Sequence, residues 1–96
     1  MTFSFHPEAE EEFSAAIEYY EEREAGLGYD FSIEVFAATH NIINHPDAWP
    51  VVEDGIHRCL VNRFPFGILY GIEPSGVFII AVMHQRRRPG YWKKRH

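Results

Sequence analysis

Residues 56–83 read IHRCLVNRFPFGILYGIEPSGVFIIAVM, and this stretch decides the fold. Its first nine residues alternate in side-chain direction, which predicts a strand. One side of that strand is expected to carry Ile56, Leu60 and Phe64, and the other His57, Cys59, Val61 and Arg63. A tight turn at residues 65–67 leads to a second strand at 66–72. The turn EPSG at 73–76 then leads to a third strand at 77–83, which is apolar on both faces and therefore expected to be interior.

Two helices are predicted before this sheet. Pro7 suits the first turn of a helix, and the glutamates that follow it favour the positive end of the helix dipole. Gly26 and Gly28 are expected to end the first helix, Asp30 to cap the second, and Pro46 to end it. The buried stripes at helical spacing are Ala9, Phe13, Ala16, Ile17 and Tyr20, then Phe31, Val35, Ala38 and Ile42. The glutamates between these positions are expected to face water.

The predicted fold class is α+β, with an N-terminal helical hairpin packed on one face of a small antiparallel β-sheet. A short apolar segment, Phe3–Phe5, is expected to form an edge strand. A chain of 96 residues allows one core, so residues 1–96 are predicted to be a single domain. The helices cover one face of the sheet, which leaves the other face, beside the C-terminal tail, for a substrate or partner.

Several classes of protein do not fit this sequence. The longest apolar run, at residues 77–83, is too short to cross a bilayer, and the N-terminus lacks the features of a signal peptide. We therefore expect a cytoplasmic protein with no membrane association. Cys59 is the only cysteine and is expected to be a packing residue, and the six histidines form no convincing ligand pair. No metal and no cofactor are expected.

Charge is distributed unevenly along the chain. Residues 1–54 hold thirteen of the fourteen carboxylates and one basic residue, Arg23, whereas residues 55–96 hold eight Lys and Arg against Glu73 alone. This asymmetry indicates a positive and a negative face, of which the positive one could approach a polyanion or an acidic partner. The alternative is a solvated acidic helix beside an unrelated basic tail.

Two stretches of the chain carry a resemblance to a known family. RCLVNRFPFGILYGIEPSGVFIIAVMHQRRRPGYW resembles the C-terminal half of the RelE/ParE family of toxins from type II toxin-antitoxin modules. FHPEAEEEFSAAIEYYEEREAGLGYDF resembles the N-terminal helix and hairpin turn of the same family. The resemblance implies the fold predicted above, growth arrest, and neutralisation by a cognate antitoxin. RelE-like members cut messenger RNA on the ribosome, whereas ParE-like members bind and poison DNA gyrase.

A RelE-like mechanism would need definite catalytic groups. The attacking 2′-hydroxyl must lose a proton, the charged phosphorane must be stabilised, and the leaving oxygen must gain a proton. By resemblance, Arg63 and one of Arg86 or Arg87 would hold the phosphate, with Tyr91 near the base position. Strand pairing is expected to bring these arginines near one another. His84 is an alternative acid or base, because the ordinary pKa of histidine lies near neutral pH.

The same residues have structural alternatives. Arg63 could pair with a carboxylate, His84 could complete a hydrogen-bond network, and Tyr91 with Trp92 could fold the tail back on the core. Under a binding function, the residues expected to contact a target or polyanion are Arg63, Arg86, Arg87, Arg88, Trp92 and Lys93.

The ParE-like hypothesis ranks first among three. Residues 31–57 contain no Lys or Arg, whereas ribosome-dependent members carry lysines in the middle of the chain, and the pI is about 5.6. RelE-like RNA cleavage ranks second, and a non-toxic domain that keeps only antitoxin binding ranks third. Under all three, an antitoxin segment is expected along the helices or the open sheet face, where it brings acidic groups to the arginines.

Overall fold

The computed structural model describes residues 2–95 and has the predicted α+β class, with two helices lying against one five-stranded sheet. The elements in chain order are β1 Thr2–Phe5, α1 Pro7–Arg23, α2 Leu27–Asn44, β2 Val51–Glu53, β3 Ile56–Leu60, β4 Phe66–Glu73 and β5 Gly76–His84, followed by a short 3₁₀ helix at Lys93–Arg95.

The order of strands in the sheet is β1-β5-β4-β3-β2. The antiparallel pairing of β3, β4 and β5 and the interior position of β5 confirm the prediction. The prediction of a purely antiparallel sheet is wrong, because β1 pairs parallel to β5, with Phe5 opposite Ile79. A four-residue strand carries no sequence signal for the direction of its neighbour. The three-residue strand β2 at the other edge was also not predicted.

The turn between the helices differs from the predicted one. Asp30 does not cap α2, and Gly28 does not end α1, because α2 already begins at Leu27 after Gly26 in the left-handed conformation (φ 88°). The first turn of α2 is capped from α1 instead: Glu21 accepts hydrogen bonds from the N–H groups of Gly26 (2.8 Å) and Gly28 (3.0 Å). The hydrogen bond from the Gly26 N–H, and to a smaller extent the one from the Gly28 N–H, lowers the pKa of the Glu21 carboxyl.

Gly28 is needed for the close approach of the two helices. A Cβ at this position would lie 2.5 Å from the backbone oxygen of Ile17, so the helices would have to separate. We expect Gly28→Ala to lower the free energy of unfolding by about 1–3 kcal/mol despite the better helix propensity of alanine. Asn41→Ala, at an exposed position of the same helix, is the control and is expected to change it by less than about 0.5 kcal/mol. Equal urea midpoints for the two variants would contradict this close packing.

Strand β3 ends earlier than predicted. Alternation stops at Leu60, which is exposed, and Arg63 adopts a left-handed backbone (φ 70°) just before Pro65. Phe64 was predicted to lie on the same side of the sheet as Ile56. It packs instead in the core beneath the helices. A positive φ at a non-glycine residue is uncommon, and the sequence gives no sign of it here.

The sheet carries an apolar cluster on each face. The larger one lies between the sheet and the helices and includes both predicted helical stripes, with Ile17 and Tyr20 at its margin. The smaller one lies on the other face and consists of Ile56, Leu69, Ile80, Ala81 and Trp92. The register shifts opposite Leu69 and Tyr70, which leaves Ile80 as an extra residue that points to this second face. The face expected to be open is thus partly covered by the returning tail.

Cys59 is buried in the core, as predicted for a packing residue. Burial raises the pKa of its thiol to about 11, so only about one thiol in a thousand is ionised at pH 8. We expect a disulfide reagent such as dithionitrobenzoate to leave the folded protein unlabelled at pH 8 and to label it within minutes in urea. Rapid labelling of the native protein would show that this strand position is open to solvent.

Candidate functional site

Glu12 is the central residue of the site that the tail forms with α1. Because β1 pairs only with residues 76–79, the following part of β5 has no neighbouring strand on that edge among the described residues. Glu12 reaches this edge, and its Oε1 accepts a hydrogen bond from the N–H of Val82 (3.0 Å). Its side chain is only 14% exposed. The prediction that the glutamates of α1 face water is therefore wrong for Glu12.

Arg95 completes the same edge from the end of the chain. Its Nη1 donates to Glu12 Oε1 (2.9 Å) and to the carbonyl oxygen of Ile80 (3.0 Å), and its Nη2 donates to Glu12 Oε2 (3.1 Å). Its Nε lies 2.9 Å from Glu8 Oε2. Burial opposes the charge, but the bidentate pair with Glu12 outweighs it, and the pKa of Arg95 is raised. The sheet edge and the C-terminal tail are thereby joined by one partly buried ion pair.

Tyr91 and Arg87 contact the same carboxylate. The Tyr91 hydroxyl donates to Glu12 Oε2 (2.6 Å), and the guanidinium carbon of Arg87 lies 4.0 Å from the centre of the Tyr91 ring. Arg87 Nη1 is 3.8 Å from Glu12 Oε2. Burial, and then the bond to Glu12, raise the pKa of Tyr91 far above its ordinary value, so this hydroxyl does not accept protons near neutral pH. We call Glu12, Arg87, Tyr91 and Arg95 the Glu12 cluster.

His84 has a structural partner at the end of β5. Its Nδ1 accepts a hydrogen bond from the N–H of Arg86 (3.0 Å), and its ring lies edge-on to Phe66 at 5.1 Å. This arrangement is the hydrogen-bond network named above as the alternative to catalysis. His84 also lines a cleft of about 700 Å³ between α1 and β5, together with Tyr19, Tyr20, Arg23, Phe66 and Arg87.

Arg63 pairs with carboxylates, which is the structural alternative to phosphate binding given above. Its guanidinium nitrogens lie 3.6 Å from Asp30 Oδ2 and 3.6 Å from Glu34 Oε2, both on α2. Arg87 pairs with Glu12 on α1. The two arginines expected to hold one phosphate are therefore paired with carboxylates of different helices.

The remaining tail residues differ in exposure. Trp92 is buried against the sheet (4% exposed), so it is not part of the exposed binding surface to which the sequence assigned it. Lys93 lies on the surface and pairs with Glu53 of β2 (2.8 Å). Arg86 and Arg88 are exposed, and within residues 2–95 neither forms a salt bridge.

Sequence reasoning missed three residues of this site. Glu12 and Arg95 form its central pair, and exposed Arg58 lines a groove of about 280 Å³ with Gln85, Arg87 and Trp92 on the second face. Glu12 follows Ala9 by three residues and precedes Ala16 by four, which places it beside the buried stripe and was a usable signal. No feature of the sequence distinguished Arg95 from the neighbouring basic residues of the tail. We call Arg58, Arg86 and Arg88 the basic tail surface.

Two further findings concern metals and membranes. No group of three or more histidine, cysteine or carboxylate side chains in the described part of the chain, residues 2–95, is placed to hold a metal ion. Among the same residues, no helix has both the length and the apolar character needed to cross a membrane.

Comparisons with known proteins agree with this architecture. Residues 3–89 match the sequence model of a family described as "ParE toxin of type II toxin-antitoxin system, parDE". A solved structure described as "Chromosomal ParDE TA system from P. aeruginosa" has a similar fold, with a TM-score of 0.72 and 13% identity over 88% of this chain and 95% of that chain. At that identity the likeness concerns the fold alone. No curated protein matches the sequence. Because the family match extends over most of the chain, the protein belongs to the ParE toxin family of type II toxin-antitoxin systems.

Proposed function

We propose that this toxin arrests growth by binding a protein target, of which DNA gyrase is the first candidate, and that it does not cut RNA. The observation that carries the proposal is the engagement of Tyr91 and Arg87 by Glu12. A nuclease needs a proton acceptor and free cationic groups at the scissile phosphate. Here the Tyr91 hydroxyl donates a hydrogen bond to a carboxylate. Burial and this bond raise its pKa above the ordinary tyrosine value, so it stays protonated and does not act as a base.

The Glu12 carboxylate also opposes phosphate binding directly. Its Oε2 contacts both the Tyr91 hydroxyl (2.6 Å) and Arg87 Nη1 (3.8 Å), two residues that the resemblance to RelE-like enzymes would assign to the cleavage reaction. A phosphate there would meet a negative charge in a partly buried environment, where repulsion is only weakly screened. RNA cleavage would therefore require the cluster to be dismantled first.

The basic tail surface remains available for binding. Arg86 and Arg88 extend from the turn after β5, and Arg58 is exposed on the neighbouring face of the sheet. Such a surface fits an acidic patch on a protein target, since charge complementarity steers association and fixes orientation. The cognate antitoxin is proposed to neutralise the toxin by bringing its own acidic side chains to this surface. Both proposed partners are cytoplasmic, so we propose that the toxin acts in the cytoplasm.

Supercoiling by purified gyrase tests the target. We expect the wild-type toxin to inhibit the reaction, and the double variant Arg86→Ala, Arg88→Ala to inhibit at least about tenfold less potently. Arg23→Ala removes a positive charge at the end of α1 that is not part of the basic tail surface, and is the control expected to retain potency. Undiminished supercoiling at large toxin excess would exclude gyrase, and equal potency of all variants would exclude this surface.

Co-purification tests the antitoxin part of the proposal separately. We expect the tagged toxin to retain the product of an adjacent small gene at physiological salt and to lose affinity as salt rises, since the contacts proposed are charged. Failure of the wild-type toxin to retain that product would contradict neutralisation by direct binding.

A further inference from the structure

The cleft of about 700 Å³ that His84 lines between α1 and the end of β5 exists because β1 is short. The parallel pairing with β1 stops at Ile79, so among the described residues no strand fills the space beside the last part of β5. Helix α1 turns Ala15 and Ala16 toward this space, and their short side chains leave it open. The volume is in the range of sites that hold small molecules. We call this space the α1–β5 cleft.

Aromatic rings line the α1–β5 cleft in a connected row. The Tyr19 and Tyr20 rings meet at 5.3 Å, and Tyr20 meets Phe66 at 6.2 Å. The His84 ring in turn lies 5.1 Å from Phe66. Tyr19 is exposed, and Tyr20 and His84 are half-buried, so parts of these ring surfaces face the open space. Such surfaces favour a planar apolar group, because stacked and edge-to-face rings attract one another.

Hydrogen-bond donors of the cleft are concentrated at His84 and Arg23. His84 Nδ1 accepts a hydrogen bond from the N–H of Arg86, so the neutral imidazole carries its proton on Nε2 and offers a donor there. The backbone N–H of His84 points to the same edge of β5 as that of Val82, because alternate residues of a strand share one direction. Arg23 donates to the Tyr19 hydroxyl (2.9 Å) and forms no salt bridge with any residue of the range 2–95.

The charge of the cleft is positive, although α1 as a whole is acidic. Glu12 is the one carboxylate among the described residues that line it, and its oxygens are already engaged in the Glu12 cluster. Glu18, Glu21 and Glu22 line a separate groove on another side of the helix. Glu12 and Arg23 are far apart in α1, about 16 Å along the helix axis. An anion at the Arg23 end therefore meets donors of the lining and no carboxylate of it.

We propose that the α1–β5 cleft binds a small aromatic anion, a planar ring system that carries one phosphate or carboxylate group. The ring would lie against Tyr20 and Phe66. The anionic group would accept hydrogen bonds from Arg23 and from His84 Nε2, and charge-assisted bonds of this kind are the strong ones. This inference does not rest on the proposed target, because the cleft is separate from the basic tail surface.

Other ligands meet physical objections. A nucleic acid strand would have to place further phosphates beside Glu12 or over the acidic side of α1, where like charges repel. An uncharged ring would leave the donors of Arg23 and His84 to water, and an inorganic anion would leave the ring surfaces uncovered. A small aromatic anion alone uses both parts of the lining.

Calorimetric titration of the full chain tests the proposal. The two probes are adenosine 5′-monophosphate and 2-naphthoate, which supply the same chemistry with a phosphate and with a carboxylate. Adenosine and inorganic phosphate each supply one half of it. We expect a Kd of about 10–100 µM for at least one of the two aromatic anions, and at least about tenfold weaker binding of each half. Preference for one probe assigns the anionic group.

Two outcomes of this titration overturn the proposal. One is the absence of binding of both aromatic anions at millimolar concentration. The other is an affinity for adenosine or for inorganic phosphate that equals that for the aromatic anions, since the ring and the charge are then not recognised together.

A variant that fills the cleft gives the sharpest control. Ala15→Leu places a larger side chain in the cleft from an exposed position of α1, and leucine is also a strong helix former. It is expected to weaken binding at least about tenfold. Ser14→Leu adds the same side chain one residue away, where it lines the separate groove, and is expected to leave binding unchanged. Circular dichroism checks the fold of both variants.

A second pair of variants separates the cleft from the basic tail surface. Arg23→Ala is expected to weaken binding of the aromatic anion at least about tenfold, whereas the double variant Arg86→Ala, Arg88→Ala is expected to bind it like the wild type. The readout involves no gyrase, so it does not depend on the proposed target. The proposal is overturned if Ala15→Leu binds like the wild type, if Ser14→Leu loses as much affinity as Ala15→Leu, or if the double variant alone abolishes binding.

Discussion

Glu12→Ala is expected to lower the free energy of unfolding by about 3–5 kcal/mol, because it takes the bidentate partner from the partly buried Arg95 guanidinium, which keeps only Glu8 and the Ile80 carbonyl. It also removes the acceptors of the Val82 N–H and the Tyr91 hydroxyl. Alanine has the best helix propensity, so none of the loss comes from α1 itself. For a domain of this size the melting temperature is expected to fall by roughly 15–30 °C.

Glu11→Ala is the matched control for this prediction, since Glu11 is an exposed glutamate on the same helix. It is expected to change the free energy of unfolding by less than about 0.5 kcal/mol. If Glu12→Ala is too unstable to measure, Glu12→Gln keeps an acceptor for the Val82 N–H and is expected to show a smaller loss. The double variant Glu12→Ala, Arg95→Ala is expected to be more stable than Glu12→Ala, because the guanidinium that has lost its bidentate partner is gone. Equal stability of the Glu11 and Glu12 variants would contradict the buried pair.

Trp92→Ala is expected to have an effect of similar size, about 3–5 kcal/mol. Trp92 is 4% exposed and packs with Ile56, Leu69 and Ile80 on the second face of the sheet. Its removal leaves a cavity between the tail and the sheet and exposes apolar strand residues to water. Urea denaturation followed by circular dichroism measures the loss.

Tyr29→Ala is the control for the Trp92 prediction. Tyr29 is a large aromatic residue too, but it is 67% exposed, so its removal is expected to cost less than about 0.5 kcal/mol. A small loss for Trp92→Ala, comparable with that for Tyr29→Ala, would show that the tail does not pack on the sheet in solution.

The predictable part of the fold is the part with local periodicity. Helical spacing in α1 and α2 and alternation in residues 56–83 were enough for the hairpin, for β3 to β5 and for the interior position of β5. The same patterns carry no signal for direction in a strand as short as β1, or for a cap supplied from another helix, as Glu21 supplies to α2. Those two features were predicted wrongly.

The central pair of the candidate site depends on contacts between the ends of the chain. Glu12 and Arg95 are 83 residues apart, and each belongs to a run of like charges that reads as solvated surface. Only the position of β5, with an edge that β1 leaves unpaired after residue 79, makes a buried carboxylate useful there. Tyr91, by contrast, was a candidate site residue from sequence, but its contact with Glu12 could not be foreseen.

The structure assigns separate tasks to the basic residues of the tail. Arg95 is partly buried and pairs with Glu12, Arg87 lies over Tyr91, and Arg86 and Arg88 are exposed. A basic run in sequence is thus divided between stability and surface charge. This division explains how a chain with a net charge of -5 has a localised positive surface.

The most direct test of the proposed mode of action is induction of this chain alone in a bacterial host, with growth recorded and messenger RNA 5′ ends mapped before and after arrest. We predict arrest without new 5′ ends, because the Glu12 cluster engages the groups that a ribonuclease would need. New 5′ ends inside translated codons that disappear in an Arg87→Ala variant of unchanged expression would contradict the account and establish ribosome-dependent cleavage.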